Sequence, residues 1–158
     1  KALFGLDDWV KFGWTRDDRV VTRQGGEYQM VPVDLTSAVV QFTALLARGK
    51  RMEWVLGYRD ARNYVQYQFE DKDFSRTEVV NGKHGKTVKT AHGAKRDAYN
   101  IFGIRLSPQF IVTAIMENGA WKTIDEYQPP GGVAAGKFGF HISGKDQLNL
   151  SDFKILPN

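Results

Sequence analysis

Apolar residues recur at every second position along most of the chain. Val40, Phe42, Ala44 and Leu46 share one face of the run 39–46, and Val65, Tyr67 and Phe69 oppose Tyr64, Gln66 and Gln68 in the run 63–70. Phe102, Ile104 and Leu106 likewise oppose Arg105. A period of two sends successive side chains to opposite sides of a strand, so each run predicts one buried and one wet face. No stretch carries the 3.6-residue apolar stripe of an amphipathic helix.

Turn residues separate the runs. Asn81-Gly82 lies between 77–80 and a return through 87–89, and Asn118-Gly119 between 111–116 and 121–124. Asn-Gly tolerates the positive φ angles of a type I′ turn, which predicts two hairpins. A third hairpin joins 52–59 to 63–70 through the polar turn Asp60-Ala61-Arg62-Asn63. Pro129-Pro130 ends the strand before it, because proline cannot sustain a central ladder. Two further strands, 136–142 and 148–156, close the chain.

Ten or so short strands predict an all-β fold, a two-sheet antiparallel β-sandwich or jelly roll, with 1–158 as a single domain. The expected core is Phe42, Val65, Tyr67, Phe69, Phe102, Ile104, Leu106, Phe138 and Phe153, with Trp9, Trp14 and Trp54 as further fillers.

Composition supports a packed domain. The chain is 42 % hydrophobic and 13 % aromatic, with ten Phe, six Tyr and four Trp, enough burial to offset chain entropy. No apolar run approaches the roughly twenty residues of a membrane span. The absence of cysteine excludes disulfides, thiol nucleophiles and Cys-type zinc or iron–sulfur sites. The chain opens at Lys1 and is read as a processed or excised fragment.

Charge is uneven. The net charge is +4, yet the segment 72–96 alone holds seven Lys and Arg against two acids. The basic character belongs to one hairpin region, where lysines also discourage edge pairing. No nucleic-acid motif accompanies it.

The order of motifs resembles that of bacterial laminin G-like domains. Leu6-Asp7-Asp8-Trp9, then Trp14 and Asp17-Asp18-Arg19-Val20-Val21, is similar to their N-terminal strand pair. Gly57-Tyr58-Arg59-Asp60-Ala61-Arg62-Asn63-Tyr64 resembles their central hairpin. Gly136-Lys137-Phe138-Gly139-Phe140 and the ending Leu148-Asn149-Leu150-Ser151-Asp152-Phe153-Lys154-Ile155 follow in the same order. The resemblance implies the concanavalin A-like lectin/glucanase superfamily, a scaffold that hosts lectins, hydrolases, lyases and protein-binding modules.

The residues weigh against ordinary glycosidase chemistry, which needs two carboxylates on one face. Asp125 and Glu126 are adjacent and therefore point to opposite sides, while Asp71 and Asp73 fall at a charged turn. His84, His92 and His141 are scattered and make no zinc set. His84 and His92, in the basic segment, are expected to be solvated. A lyase-like site among Tyr64, Gln66, Gln68, Arg59, Arg105 and His141 remains an alternative.

Sugar recognition has the fuller inventory of stacking rings and polar forks. The expected ligand-binding residues are Arg59, Tyr64, Gln66, Gln68, Arg105 and Trp121, with Tyr64, Gln66, Gln68 and Arg105 on one polar sheet face. Glu53 and Tyr127 are placed beside them. The expected partner is a polysaccharide or oligosaccharide, with an anionic glycan as one alternative. No organic cofactor is expected. A structural calcium ion is an open alternative, with Asp7, Asp8, Asp17, Asp18 and Asp152 as the available acids.

The leading reading is a non-catalytic recognition module of a larger bacterial surface or secreted protein, extracellular or periplasmic. An enzyme of the same superfamily and a protein-interaction or sensory ectodomain are the rivals.

Overall fold

The computed structural model describes all 158 residues. In chain order the elements are β1 (Phe4–Gly5), α1 (Leu6–Lys11), β2 (Thr15–Asp17), β3 (Val20–Gln24), β4 (Glu27–Met30), β5 (Ala38–Arg48), β6 (Met52–Asp60), β7 (Asn63–Phe69), β8 (Asp73–Val80), β9 (Lys83–His84), β10 (Val88–Ala91), β11 (Asn100–Leu106), β12 (Ile111–Glu117), β13 (Ala120–Tyr127), β14 (Lys137–Ile142) and β15 (Gln147–Pro157).

They form two antiparallel sheets. The first runs β13-β12-β11-β5-β15-β3-β2, with β1 also on β15; the second runs β10-β8-β7-β6-β14-β4, with β9 also on β8. The all-β sandwich expected from alternation is therefore present. No helix is long and apolar enough to cross a membrane.

All nine expected core residues and the three tryptophans Trp9, Trp14 and Trp54 are buried. Phe42 of β5 and Phe102 of β11 face each other across the ladder. Both rings meet Trp54 of the second sheet, at 5.3 and 5.1 Å between centroids, so these three residues join the layers. Edge-to-face packing of this kind adds to simple area burial.

Both Asn-Gly turns have the positive φ that a type I′ hairpin requires, 52° and 80° at Asn81 and Gly82 and 53° and 80° at Asn118 and Gly119. The first hairpin returns in two pieces, β9 and then β10, both paired with β8.

Leu6–Lys11, expected as part of a strand pair, is instead a short helix. Asp8 reaches back to accept the Gly5 N–H at 2.8 Å, Asp7 and Asp8 lie in the first turn and Lys11 in the last. These are the local charges a helix dipole favours. One turn and a half is too short to show a stripe, although it buries Trp9 completely.

One end of the sandwich is tied by a polar bridge that alternation gives no hint of. Arg76 of β8 donates to Asp125 of β13 at 2.8 Å, lies 4.4 Å from the centre of the Tyr127 ring, and Tyr127 in turn donates to Glu78. Burial pushes the Asp125 carboxyl up, with Arg76 partly offsetting it. Tyr127, expected beside the polar face, is thus an inward residue. Arg76 is likewise no surface cation, and Arg96 pairs with Asp71, so the basic segment presents mainly its lysines.

Candidate functional site

The outer face of the second sheet carries a rung of side chains in register across six strands. Lys89 pairs with Ser75, Ser75 with Gln68, Gln68 with Glu53, Glu53 with His141 and His141 with Tyr28. Cross-strand neighbours on one face sit about 5 Å apart, so this rung is a continuous polar row.

Glu53 is its centre. It accepts from Gln66 Nε2 at 2.9 Å, Gln68 Nε2 at 3.0 Å and His141 Nδ1 at 2.9 Å. Burial pushes the Glu53 carboxyl up, but the hydrogen bonds from His141, Gln66 and Gln68 together outweigh it and hold the group below its ordinary value. The other imidazole nitrogen of His141 bonds Glu27 at 3.0 Å. The bond to Glu53, opposed by burial and aided by Glu27, raises His141 to about 9. His141 is an imidazolium held between two carboxylates at neutral pH.

Aromatic rings adjoin this row. Tyr28 stacks on His141 at 4.4 Å, Tyr58 lies 5.4 Å from Tyr28, and Tyr64 lies 5.5 Å from Tyr58. Val55, between Gln66 and Gly139 in the ladder, is fully buried yet stands outside the core cluster between the sheets. The outer face therefore covers its own floor. Met30 helps, because its sulfur lies where a Cβ on Gly139 would be.

Tyr64, Gln66 and Gln68 stand on this face as expected. Arg59 lies at the exposed hairpin end beyond the β6 bulge. It shares with Tyr64, Glu78 and Tyr127 a hollow of about 100 Å³. Arg105 and Trp121 do not join them. They belong to β11 and β13 of the first sheet and face outward on the opposite side of the molecule. The shared-face expectation fails because alternation separates inward from outward within a strand and carries nothing about which sheet the strand enters.

Tyr28, Tyr58, Glu27 and the central role of His141 escaped sequence reasoning. Tyr58 adjoins Tyr64 across the β6–β7 hairpin, whereas Tyr28, Glu27 and His141 reach Glu53 only through β14, which pairs with β4 and β6 from far along the chain. His92, expected to be solvated, is buried. It stacks on Phe69 at 4.5 Å, and its Nδ1 accepts the Ala94 N–H. Its Nε2 must then carry the proton and donate to the Glu70 carbonyl, 2.6 Å away.

Two of the five acids named for calcium are already engaged. Asp7 pairs with Arg16, and Asp8 is taken by Gly5 and Lys11. No three His, Asp or Glu side chains converge as a metal set anywhere in the chain.

No family model matches this sequence, and no curated protein is similar to it in sequence. Solved structures do resemble it. A carbohydrate binding module, CBM66, from Bacillus subtilis superposes with a TM-score of 0.65 at 8 % identity, over 86 % of each chain. A legume lectin-like domain from Entamoeba histolytica gives 0.67 at 12 % identity, over 92 % of this chain and 87 % of that one. The Bacteroides ovatus protein Xyloglucan PUL GH43B gives 0.68 at 9 % identity, and there the match spans 34 % of the longer chain. At such identities the likeness is one of fold.

Proposed function

We propose that this chain, which has the concanavalin A-like lectin/glucanase fold, is a non-catalytic carbohydrate-recognition module whose ligand lies on the outer face of the second sheet. The observation that carries this reading is the meeting of Tyr28, Tyr58 and Tyr64 with an amide and carboxylate row held rigid by its own hydrogen bonds. Each glutamine amide spends one N–H on Glu53 and keeps its carbonyl free for a sugar hydroxyl. Sites of this type combine ring surface with a few fixed polar groups.

Glu53 accepts three hydrogen bonds and is held ionised, so it is no proton donor of the kind that glycoside cleavage needs. The names of two structural neighbours, a carbohydrate binding module and a lectin-like domain, agree with carbohydrate recognition. Lys89 at one end of the rung extends the reading to acidic glycans. The order of sequence motifs supports the laminin G-like branch and a bacterial surface or secreted parent protein outside the cytoplasm.

The test is isothermal calorimetry against a panel of soluble plant, algal and bacterial polysaccharides. Tyr64→Ala and Gln66→Ala are expected to weaken binding to the best ligand by ~1–3 kcal/mol, the scale of one unsatisfied partner, with the fold intact. Undiminished binding by both variants, or steady release of reducing sugar by the unaltered protein, would overturn the proposal.

A further inference from the structure

Trp121 is 48 % exposed, and of the eight large hydrophobic residues that are exposed it is the only one within a strand of the first sheet, on its edge strand β13. Its position is unusual. Trp121 belongs to β13, opposite Met116 of β12. Yet its ring atoms Cη2 and Cζ3 lie 3.2 Å from where a Cβ on Gly103 would stand, and Gly103 is on β11, one strand further in. Two strand spacings amount to about 10 Å. An indole covers that span only by lying along the sheet, across β12.

The bed beneath it is small. Gly103 pairs directly with Ala114 of β12, so the residues under the ring are a methyl group and a bare α-carbon. Glycine in a strand interior weakens the strand and marks close approach of another group, which here is the indole. The outward ring face is left open.

Beyond Gly103 in the same row comes Gln41 of β5, and Arg105 stands two residues along β11. Neither side chain has a hydrogen-bond partner within the protein. An open aromatic plane flanked by an unused amide and an unused guanidinium matches the chemistry of a pyranose ring, apolar on one face and hydroxylated at its rim. A protein partner would need roughly 800 Å² on this side, and no other strongly exposed apolar residue lies beside Trp121 on these strands to supply it.

We propose that Trp121, with Gln41 and Arg105, forms a second sugar-binding site on the outer face of the first sheet. It is independent of the tyrosine face and looks the opposite way. One module then engages two glycan chains at once, with the avidity that linked sites confer.

The test uses the indole N–H signals of the intact protein in two-dimensional NMR. Three of the four tryptophans are buried, so the signal lost in Trp121→Phe reports the open ring. Cello-, xylo-, manno-, laminari- and chito-hexaose are added at millimolar concentration. At least one is expected to shift the Trp121 signal, and equally so in Tyr64→Ala. Gln41→Ala is expected to weaken that response about ten-fold, the scale of one hydrogen-bond set, without lowering the melting temperature. No shift with any of the five sugars overturns the second site, whatever the tyrosine face binds. A shift that disappears in Tyr64→Ala overturns its independence. A shift that follows protein concentration and not sugar assigns the face to a second copy of the chain.

Discussion

On the outer face of the second sheet the polar groups around Glu53 are bound to one another, whereas around Trp121 on the outer face of the first they are left to solvent. Glu53 alone takes three hydrogen bonds from its own face, while Gln41, Arg105 and Trp121 stand with none. A satisfied network is rigid before any ligand arrives, and its geometry costs little further entropy on binding. An open group retains full hydrogen-bonding capacity but must be ordered when the ligand comes. The second sheet's face is therefore set for shape and position, the first sheet's for a single stacking contact with flexible polar support.

Both faces depend on one core, and the largest effect comes from breaking it. Phe102→Ala removes a ring that touches Phe42 and Trp54 together. The expected loss is ~3–5 kcal/mol, read by chemical denaturation, with both faces losing ligand response in parallel. A loss within about 0.5 kcal/mol, the range of ordinary surface changes, would mean the two layers are not joined there.

Protonation separates the faces next. Raised to about 9 from an ordinary 6.5, His141 stabilises the fold fully below 6.5, and that contribution is lost as pH rises through 9. Glu53, lowered from 4.5, contributes above 4.5 and loses its contribution as acid protonates it. The pair is worth most between these two ordinary values, and stability should decline on either side. Glu53→Ala leaves Gln66, Gln68 and His141 without their acceptor, an expected cost of about 2–3 kcal/mol. It should also flatten the alkaline decline. An NMR titration of His141 with a midpoint near its ordinary value would show that the pair does not form. Arg105→Ala, the counterpart on the open face, is expected to change stability by less than about 0.5 kcal/mol.

Alternation made the layers legible and the site only half so. Tyr64, Gln66, Gln68 and Arg105 all point outward as their spacing demands, because side-chain direction within a strand is a local property. Membership of a sheet is not. Arg105 and Tyr64 part company because β11 pairs with β5 while β7 pairs with β6, and no local pattern encodes that choice. The same holds for His141, whose partners Glu53 and Glu27 are 88 and 114 residues away in sequence. The helix at Leu6–Lys11 was within reach, since a glycine followed three residues later by an aspartate is a capping pattern. The Arg76–Asp125 bridge was not, since it joins the two layers.

The smallest effect on stability should give the sharpest reading of the open face. Gly103 lies in a central strand with ordinary extended backbone, so alanine fits its φ without strain, and Gly→Ala there reduces unfolded-chain entropy by roughly 0.4–1 kcal/mol in the folded state's favour. Against this, the new methyl meets the Trp121 ring at 3.2 Å, closer than comfortable contact. The ring is the exposed end of a side chain and can lift, which sacrifices its contact with the bed and nothing in the core. The two terms oppose each other at similar size, and the net change is expected within about 0.5 kcal/mol. The indole, however, no longer lies flat. Acrylamide quenching of tryptophan fluorescence, to which the three buried tryptophans contribute little, should rise in Gly103→Ala, and any sugar response of the Trp121 signal should fall while that of the tyrosine face persists. Unchanged quenching with an unchanged melting temperature would mean that the ring does not rest on Gly103, and the flat platform would have to be abandoned.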